Sequence, residues 1–166
     1  MIPSLWLVDP DESGVRTTCG TRVKDTPPGW YLLWRVIQAA EKIKVVPQVI
    51  DLRGQSITTK DGKSILISGA VQYKVTNARK AILEVYDYDS NLQNIALGVL
   101  ARYVAAHTYD ECREVGALEK EVLSGVRDAA SGWGLRIMRC YLTDMCESRC
   151  IRVVGGGIVP LEGESE

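Results

Sequence analysis

Two extended segments flank the dipeptide Asp61-Gly62, and this arrangement constrains the fold more than any other part of the sequence. Asp-Gly readily supplies the positive φ angles of a tight hairpin turn. After the turn, side chains alternate with the period of a half-buried strand. One face carries Ile65, Ile67, Gly69, Val71, Tyr73 and Val75, and the other carries Ser68, Ala70, Gln72 and Lys74. The sequence therefore predicts a β-hairpin over residues 53–75 with one buried face.

The size and charge of the chain exclude several classes of protein. Its 166 residues suit one domain, or one domain with a dependent subdomain. A net charge of -1 gives no basic field, so we expect no nucleic-acid partner. Its apolar runs are far shorter than the about 20 residues that cross a bilayer. Met1–Val8 lacks the charged start of a secretory signal, and five irregularly spaced cysteines do not predict a disulfide framework. We expect an intracellular protein, cytoplasmic or peripheral at a membrane.

The periodicity of the sequence changes after residue 76. Before it, short apolar segments are separated by turns such as 26–29, and Pro47 interrupts one of them. After it, apolar residues recur at helical spacing, first over Ala78–Val85 and then in a longer helix for which Ser90 is the expected N-cap.

A third helix is expected to open at a capping box formed by Thr108 and Glu111 and to continue to Ala129. Leu135–Met145 then returns to an extended pattern. Strands first and helices second, without βαβ alternation, predict an α+β fold.

Nine short segments carry a resemblance to one family. They are Gly14-Val15-Arg16 with Gly20, Pro28-Gly29-Trp30, Val49–Arg53, Thr58–Gly62, Ser68–Val75, Asn77–Ala81, Leu100–Val104, His107–Glu111 and Trp133-Gly134-Leu135. In this order they resemble the motifs of the SPFH or Band 7 domain, found in stomatin, prohibitin, flotillin and the bacterial HflK/HflC pair. The resemblance implies an α+β domain over 5–146, with a β-rich subdomain 5–75, an α/β subdomain 76–146 and a C-terminal tail 147–166.

The two ends of the chain depart from the family pattern. Members often carry a membrane anchor before the domain, whereas here only Met1–Val8 stands there. Members usually continue into a long coiled coil, whereas Val153–Pro160 is Gly-rich rather than heptad-like. We expect either a truncated chain or a minimal, free-standing member, with a mobile acidic tail from Gly155 onward.

No complete catalytic, cofactor or metal pattern is found in the sequence. The single histidine, His107, lies near Cys112, but no third orienting group is evident. Cys146 and Cys150 form one pair with Cys140 nearby, which is too few ligands for a structural zinc site. Modification of one thiol is an alternative to the default of free structural cysteines. The carboxylates that could suggest acid–base chemistry are better explained as caps and turn residues; they are Asp87, Asp89, Asp110 and Glu111. We expect no catalytic residues, no cofactor and no metal.

The candidate interaction residues are aromatic and charged. Trp30, Leu32 and Trp34 share one strand face, and the opposite face is also apolar. This pattern indicates either a strand buried on both sides or an interface, because tryptophan anchors protein interfaces and bilayer headgroup regions. Trp6 is expected to extend such a surface.

On the third helix, charges of both signs alternate, among them Arg113, Glu119, Lys120 and Arg127. These side chains indicate either a solvated face or pairing with a neighbouring subunit.

The resemblance implies a non-enzymatic scaffold that self-associates as a homo-oligomer, in a ring or filament, and organises partner proteins at a membrane surface. Three alternatives remain open. One is a soluble adaptor or inhibitor of a single protein, such as a membrane protease of the kind that the HflK/HflC pair regulates. Another is a structural subunit of a larger shell, since similar modules occur in the shoulder of vault particles. The third is an enzyme whose catalytic residues the sequence does not reveal.

Overall fold

The computed structural model of the chain describes residues 3–34, 36–148, 152–154 and 157–159. Seven strands come first: β1 Ser4–Val8, β2 Glu12–Thr18, β3 Arg22–Thr26, β4 Gly29–Leu33, β5 Gln38–Lys44, β6 Gln48–Thr58 and β7 Ser64–Val75. Four helices follow: α1 Ala78–Leu83, α2 Tyr88–Ala106, α3 Tyr109–Cys112 and α4 Val115–Ala129. The last strands are β8 Leu135–Glu147, β9 Arg152–Val154 and β10 Gly157–Val159. This order confirms the α+β prediction.

The predicted hairpin forms the centre of the larger layer. β7 pairs antiparallel with β6 on one side and with β8 on the other. The predicted inward residues of β7 are buried; they are Ile65, Ile67, Gly69, Val71, Tyr73 and Val75. The turn differs from the prediction, because within the five-residue connection only Gly62 has a positive φ, of 83°. The connection is longer than a two-residue Asp-Gly turn because Thr59 closes it, with its N–H donating to the Lys63 carbonyl over 2.8 Å.

Helices α2 and α4 cover the inward face of this sheet. Their buried residues join those of β7 in one core, including Leu92, Leu100, Leu118 and Val126. The two helices approach closely at Gly125, where a Cβ atom would lie 2.7 Å from Val99 Cγ1. The expected subdomain boundary, between residues 75 and 76, falls between β7 and α1. Buried residues of both elements belong to this one core.

A second, smaller layer is built from the N-terminal strands. β2 lies between β3 and β5, and β1 pairs with β4 in a separate two-stranded sheet. The two sheets meet where the Trp6 ring lies over Gly14, at which a Cβ atom would be 2.5 Å from Trp6 Cη2. The absence of a side chain at Gly14 therefore allows the β1–β4 sheet to pack on β2.

Two helix boundaries and the tail differ from the predictions. The N-cap of α2 is Asp87 rather than Ser90, because the Asp87 carboxylate accepts the Ser90 N–H. The capping box of Thr108 and Glu111 is confirmed, but it opens only the four-residue α3, and α4 begins separately at Val115. In the tail, β9 and β10 pair antiparallel, since runs of β-branched residues flank the Gly-rich segment. The acidic end, 160–166, lies outside the described residues.

The tip of the β6–β7 hairpin is bonded to the α2–α3 junction. The Lys60 N–H donates to the His107 carbonyl over 2.9 Å, and the Tyr109 N–H donates to Asp61 Oδ1 over 3.1 Å. Lys63 Nζ lies 4.6 Å from the centre of the Tyr109 ring. These contacts fix the distant end of the hairpin against the helical layer.

The turn into β8 is fixed by one carbonyl group. The Gly134 carbonyl accepts the N–H groups of Thr76 and Asn77 and the Thr76 hydroxyl, at 2.8, 3.0 and 2.9 Å. Gly134 itself has φ 73°, and a Cβ atom there would lie 2.5 Å from the backbone carbonyl oxygen of Asn77. A side chain at this position would therefore be strained and would also clash.

We expect Gly134→Ala to lower the free energy of unfolding by about 2 kcal/mol or more, because the backbone strain and the clash add. Gly116→Ala is the matched control, since Gly116 lies in α4 with nothing within 4 Å of its Cβ position. The control should be neutral or stabilising by about 0.5–1 kcal/mol. Urea unfolding curves of the two variants measure these changes. Equal stability of the two would show that position 134 does not require glycine.

We also expect acid to weaken the hairpin-tip contact. The hydrogen bond from the Thr59 hydroxyl, the largest cause, lowers the pKa of Asp61, and the Thr108 N–H lowers that of Glu111. A lowered folded-state pKa means that the contribution to stability is complete above the ordinary pKa of about 4 and is lost as pH falls through the folded value. Asp61→Asn should therefore reduce the fall of the free energy of unfolding between about pH 5 and about pH 3.

The measurement is urea unfolding at stepped pH, with Asp128→Asn, an exposed α4 carboxylate, as the control for removing one carboxyl group. An identical pH slope in the Asp61→Asn variant and the wild type would contradict the assignment.

Candidate interaction surface

The outer face of the β1–β4 sheet is apolar and exposed. The antiparallel register places Leu5 opposite Leu32 and Leu7 opposite Trp30. Trp30 is 67% exposed, Leu5 64% and Leu32 53%. Neither strand contains a charged residue, as their sequences SLWLV and GWYLL show. We call Leu5, Leu7, Trp30 and Leu32 the outer apolar face.

The inner face of the same sheet explains why the outer one is exposed. Trp6 and Tyr31, paired across the strands, have ring centroids 6.0 Å apart, and Val8 and Leu33 are buried. The Tyr31 hydroxyl donates to the Pro27 carbonyl over 2.7 Å, which ties β4 to its preceding turn. With period two, packing these side chains against β2 sends their neighbours outward.

The interpretation of Trp30–Trp34 as a strand buried on both sides is therefore wrong. The strand ends at Leu33, and a second sheet covers it on one face only. Trp30, Leu32 and Trp34 are exposed, Trp34 by 41% in the connection that follows β4. Trp6 lies on the inner face and does not extend the outer one. Leu5 and Leu7 take that place, and only the strand alternation in β1 could have indicated them.

The connection after β4 extends the apolar surface at one end. Val36 is 73% exposed and Ile37 is 48% exposed. The N–H groups of Ile37 and Gln38 both donate to the Trp34 carbonyl, at 3.0 and 2.9 Å, so a tight turn presents these side chains. Neither Val36 nor Ile37 was predicted from the sequence as an interaction residue.

The four charged residues expected to form one helix face divide into two pairs, and one of them, Arg113, lies before α4 as the C-cap of α3. Arg127 Nε donates to the Ile137 carbonyl over 3.1 Å, and Arg127 Nη2 donates to the Met138 carbonyl over 3.4 Å. Glu119 Oε1 accepts the Leu142 N–H over 2.9 Å. Glu119 and Arg127 therefore bind the backbone of β8 in the same chain. Arg113 and Lys120 are exposed.

These bonds protect the free edge of the larger sheet. β8 has no strand on its outer side among the described residues, and its register with β7 skips at Met138 and Thr143. On the opposite edge, the Gln93 amide donates to the Asp51 carbonyl over 2.7 Å. Side chains from the helices thus satisfy backbone groups on both edge strands, which otherwise invite pairing with another chain.

The residues considered for chemistry are engaged in structural contacts. The His107 ring stacks on Tyr103 with centroids 4.0 Å apart, and His107 Nδ1 lies 2.8 Å from the Tyr103 carbonyl oxygen. Burial raises the pKa of Cys112, and it raises that of Cys140 to about 11, which is opposite to the activation of a nucleophilic thiol. Cys146 is exposed, and Cys150 lies outside the described residues.

Three of the four candidate carboxylates also have structural partners, and the fourth, Asp110, is exposed. Asp87 and Glu111 bond backbone N–H groups at helix starts, and Asp89 accepts the buried Tyr73 hydroxyl. Within the described ranges, no three His, Cys, Asp or Glu side chains are placed to share a metal ion. Of the helices in the described part of the chain, none has the length and hydropathy to span a bilayer.

We expect Glu119→Ala to lower the free energy of unfolding by about 1–3 kcal/mol, because it leaves the Leu142 N–H without its partner. Arg127→Ala should act similarly through two carbonyl groups. Lys120→Ala, on an exposed neighbour of Glu119, is the control and should stay within about 0.5 kcal/mol of the wild type. Thermal and urea unfolding measure the differences, and a Glu119→Ala variant as stable as Lys120→Ala would refute the edge contact.

Comparisons with a family model and with individual proteins point to the same family. The family model described as SPFH domain / Band 7 family matches residues 7–146. An uncharacterised protein of Methanocaldococcus jannaschii is 28% identical over 149 residues, covering 87% of this chain and 73% of that protein. Stomatin-4 of Caenorhabditis elegans is 21% identical over 149 residues, covering 82% of this chain and 53% of its own length. Mouse stomatin is 22% identical over 149 residues, with 82% and 52% covered. Against the two stomatins, the chain spans about half of the relative's length.

Proposed function

The chain belongs to the SPFH domain / Band 7 family, and we propose that it is a non-enzymatic scaffold module that docks on a membrane surface and associates laterally with copies of itself. The observation that carries the proposal is the outer apolar face of β1 and β4. By docking on the membrane and associating laterally, the module would organise partner proteins there.

The composition of the outer apolar face favours lipid as its partner. The face is a two-stranded sheet bearing Trp30 and three leucines, and no charged residue interrupts it. Tryptophan is enriched at the level of lipid headgroups, and apolar faces that lie in the membrane plane enter the boundary between headgroups and acyl chains. Trp34, Val36 and Ile37 at the end of the sheet enlarge the apolar area that can enter this boundary.

The strength of one such contact is modest. Full burial of a large apolar side chain contributes about 1.5–3 kcal/mol, and the four residues of the outer apolar face are already partly covered. About 1 kcal/mol from each gives roughly 4 kcal/mol, which corresponds to a dissociation constant near 1 mM. One module would bind weakly, so stable attachment requires several modules that bind together.

Lateral association would supply that multiplicity. A head-to-tail contact between identical subunits generates a ring or a filament. Of the four charged candidates, Arg113 and Lys120 remain available for such a contact, whereas Glu119 and Arg127 are held by β8. We propose Arg113 and Lys120 as contributors to the subunit contact.

Light scattering of the purified chain, with and without liposomes, tests the assembly. The proposal requires a large discrete assembly, either in solution or on lipid. A monomer of 18.3 kDa under both conditions would contradict it and would favour an adaptor for one protein, such as a membrane protease. A closed particle of fixed size formed without lipid would instead favour a shell subunit.

We expect Trp30→Ser combined with Leu32→Ser to lower vesicle binding at least tenfold, because the substitutions remove half of the outer apolar face. Leu83→Ser with Tyr86→Ser is the matched control, since it removes two side chains that are 50% and 94% exposed in and after α1. Co-sedimentation with phosphatidylcholine vesicles measures both. Wild-type binding by the Trp30/Leu32 variant would exclude this face as the docking surface.

A further inference from the structure

Three basic side chains lie together on one face of the β3–β2–β5 sheet. Arg16 on β2 is directly opposite Lys24 on β3, and Arg22 on β3 is opposite Thr18, the next position on the same face. Like charges directly opposite each other on neighbouring strands are destabilising. We call Arg16, Arg22 and Lys24 the basic strip.

The basic strip has no acidic partner in the described part of the chain. The ion pairs within 4.0 Å in these residues join Lys42 to Asp9 and Glu12, at the other end of the same sheet face. Arg16 Nε is buried and has no hydrogen-bond partner. A buried guanidinium nitrogen without an acceptor costs free energy, so the positive charge of Arg16 is not compensated inside the protein, and an anion bound beside the strip would compensate it.

The basic strip adjoins the apolar surface. Gly14, two residues before Arg16 on the same face of β2, lies under the Trp6 ring. In the other direction, Thr18 is opposite Gln38, whose Oε1 accepts the Trp34 N–H over 3.2 Å. The basic strip therefore begins next to the part of β2 that the Trp6 ring covers, and it continues toward the exposed Trp34.

We infer that the basic strip binds the phosphate groups of anionic phospholipids while the outer apolar face enters the membrane interface; this rests on the proposed function. Packed sheets lie about 10 Å apart, and interfacial apolar faces are buried by about 5–10 Å. The basic strip, one sheet behind the outer apolar face, therefore lies at the level of the headgroups.

The chemistry of the strip suits phosphate. Arginine presents its donors in a planar fork that binds phosphate oxygens in a bidentate manner, and Lys24 adds a point charge. Cationic side chains beside an apolar face match a surface that is apolar inside and anionic outside. An acidic protein would satisfy the strip but would leave the neighbouring outer apolar face without a partner.

The test compares vesicles of phosphatidylcholine alone with vesicles in which one third of the lipid is phosphatidylglycerol. Arg22→Gln with Lys24→Gln removes two exposed charges of the strip. We expect this variant to bind the anionic vesicles roughly 5- to 30-fold more weakly than the wild type, from the usual contribution of one or two basic residues near an anionic surface. Binding to phosphatidylcholine should not change.

Lys74→Gln with Arg102→Gln is the matched control, because it removes the same net charge from exposed positions that belong neither to the basic strip nor to the proposed subunit contact. It should bind the anionic vesicles like the wild type. The exchange Arg22→Lys with Lys24→Arg keeps the charge and should keep the preference for anionic lipid. Circular dichroism of each variant checks that it is folded.

Three results would overturn the inference. The first is an undiminished preference for anionic lipid in the Arg22/Lys24 variant, and the second is an equal loss in the Lys74/Arg102 control. The third is full competition by inorganic phosphate at matched ionic strength, which would identify a site for free phosphate. Failure of the proposed function is distinguishable, because it would appear as unchanged phosphatidylcholine binding in the Trp30/Leu32 variant.

Discussion

Burial of the inward face of β7 is the interaction on which the rest of the structure depends. Ile65, Ile67 and Val71 have no solvent exposure, and the strand is paired on both sides. This arrangement requires helices over one face, and α2 and α4 supply them. The outer strands then need partners for their backbone groups, and the same helices provide Gln93 on one edge and Glu119 and Arg127 on the other. The helices thus bury the sheet and also close its edges.

In the smaller layer, the β1–β4 sheet packs through one face only, against the β3–β2–β5 sheet. Trp6 and Tyr31 occupy the space between the two sheets, and Gly14 leaves room for the Trp6 ring. In the part of the chain that the structure describes, no helix covers the opposite side of β1 and β4. The outer apolar face is therefore a direct result of how the inner face packs, and its exposure is the observation on which the proposed membrane contact rests.

The larger layer could be predicted from the sequence to a greater extent than the surfaces. The alternation after Gly62 predicted the buried face of β7, because period two leaves no other choice of face. The same alternation in β1 allowed either Trp6 or the pair Leu5 and Leu7 to point outward. The packing of Trp6 over Gly14 decides between them. This contact joins two separate strands, so the alternation within one strand cannot predict it.

The charged residues show the same limit. Helical spacing placed Glu119 and Arg127 on a polar face of α4, but it could not indicate that β8 would need a carboxylate and a guanidinium there. The basic strip was missed because Arg16 and Lys24 meet only through strand register. One hydrogen bond at the hairpin tip joins a side chain to a backbone group. Asp61 acts through its side chain but bonds the backbone of residue 109, which lies 48 positions away. For this bond, tolerance to substitution is unequal at the two sites: position 61 needs an acceptor, whereas position 109 admits every amino acid that has an N–H group.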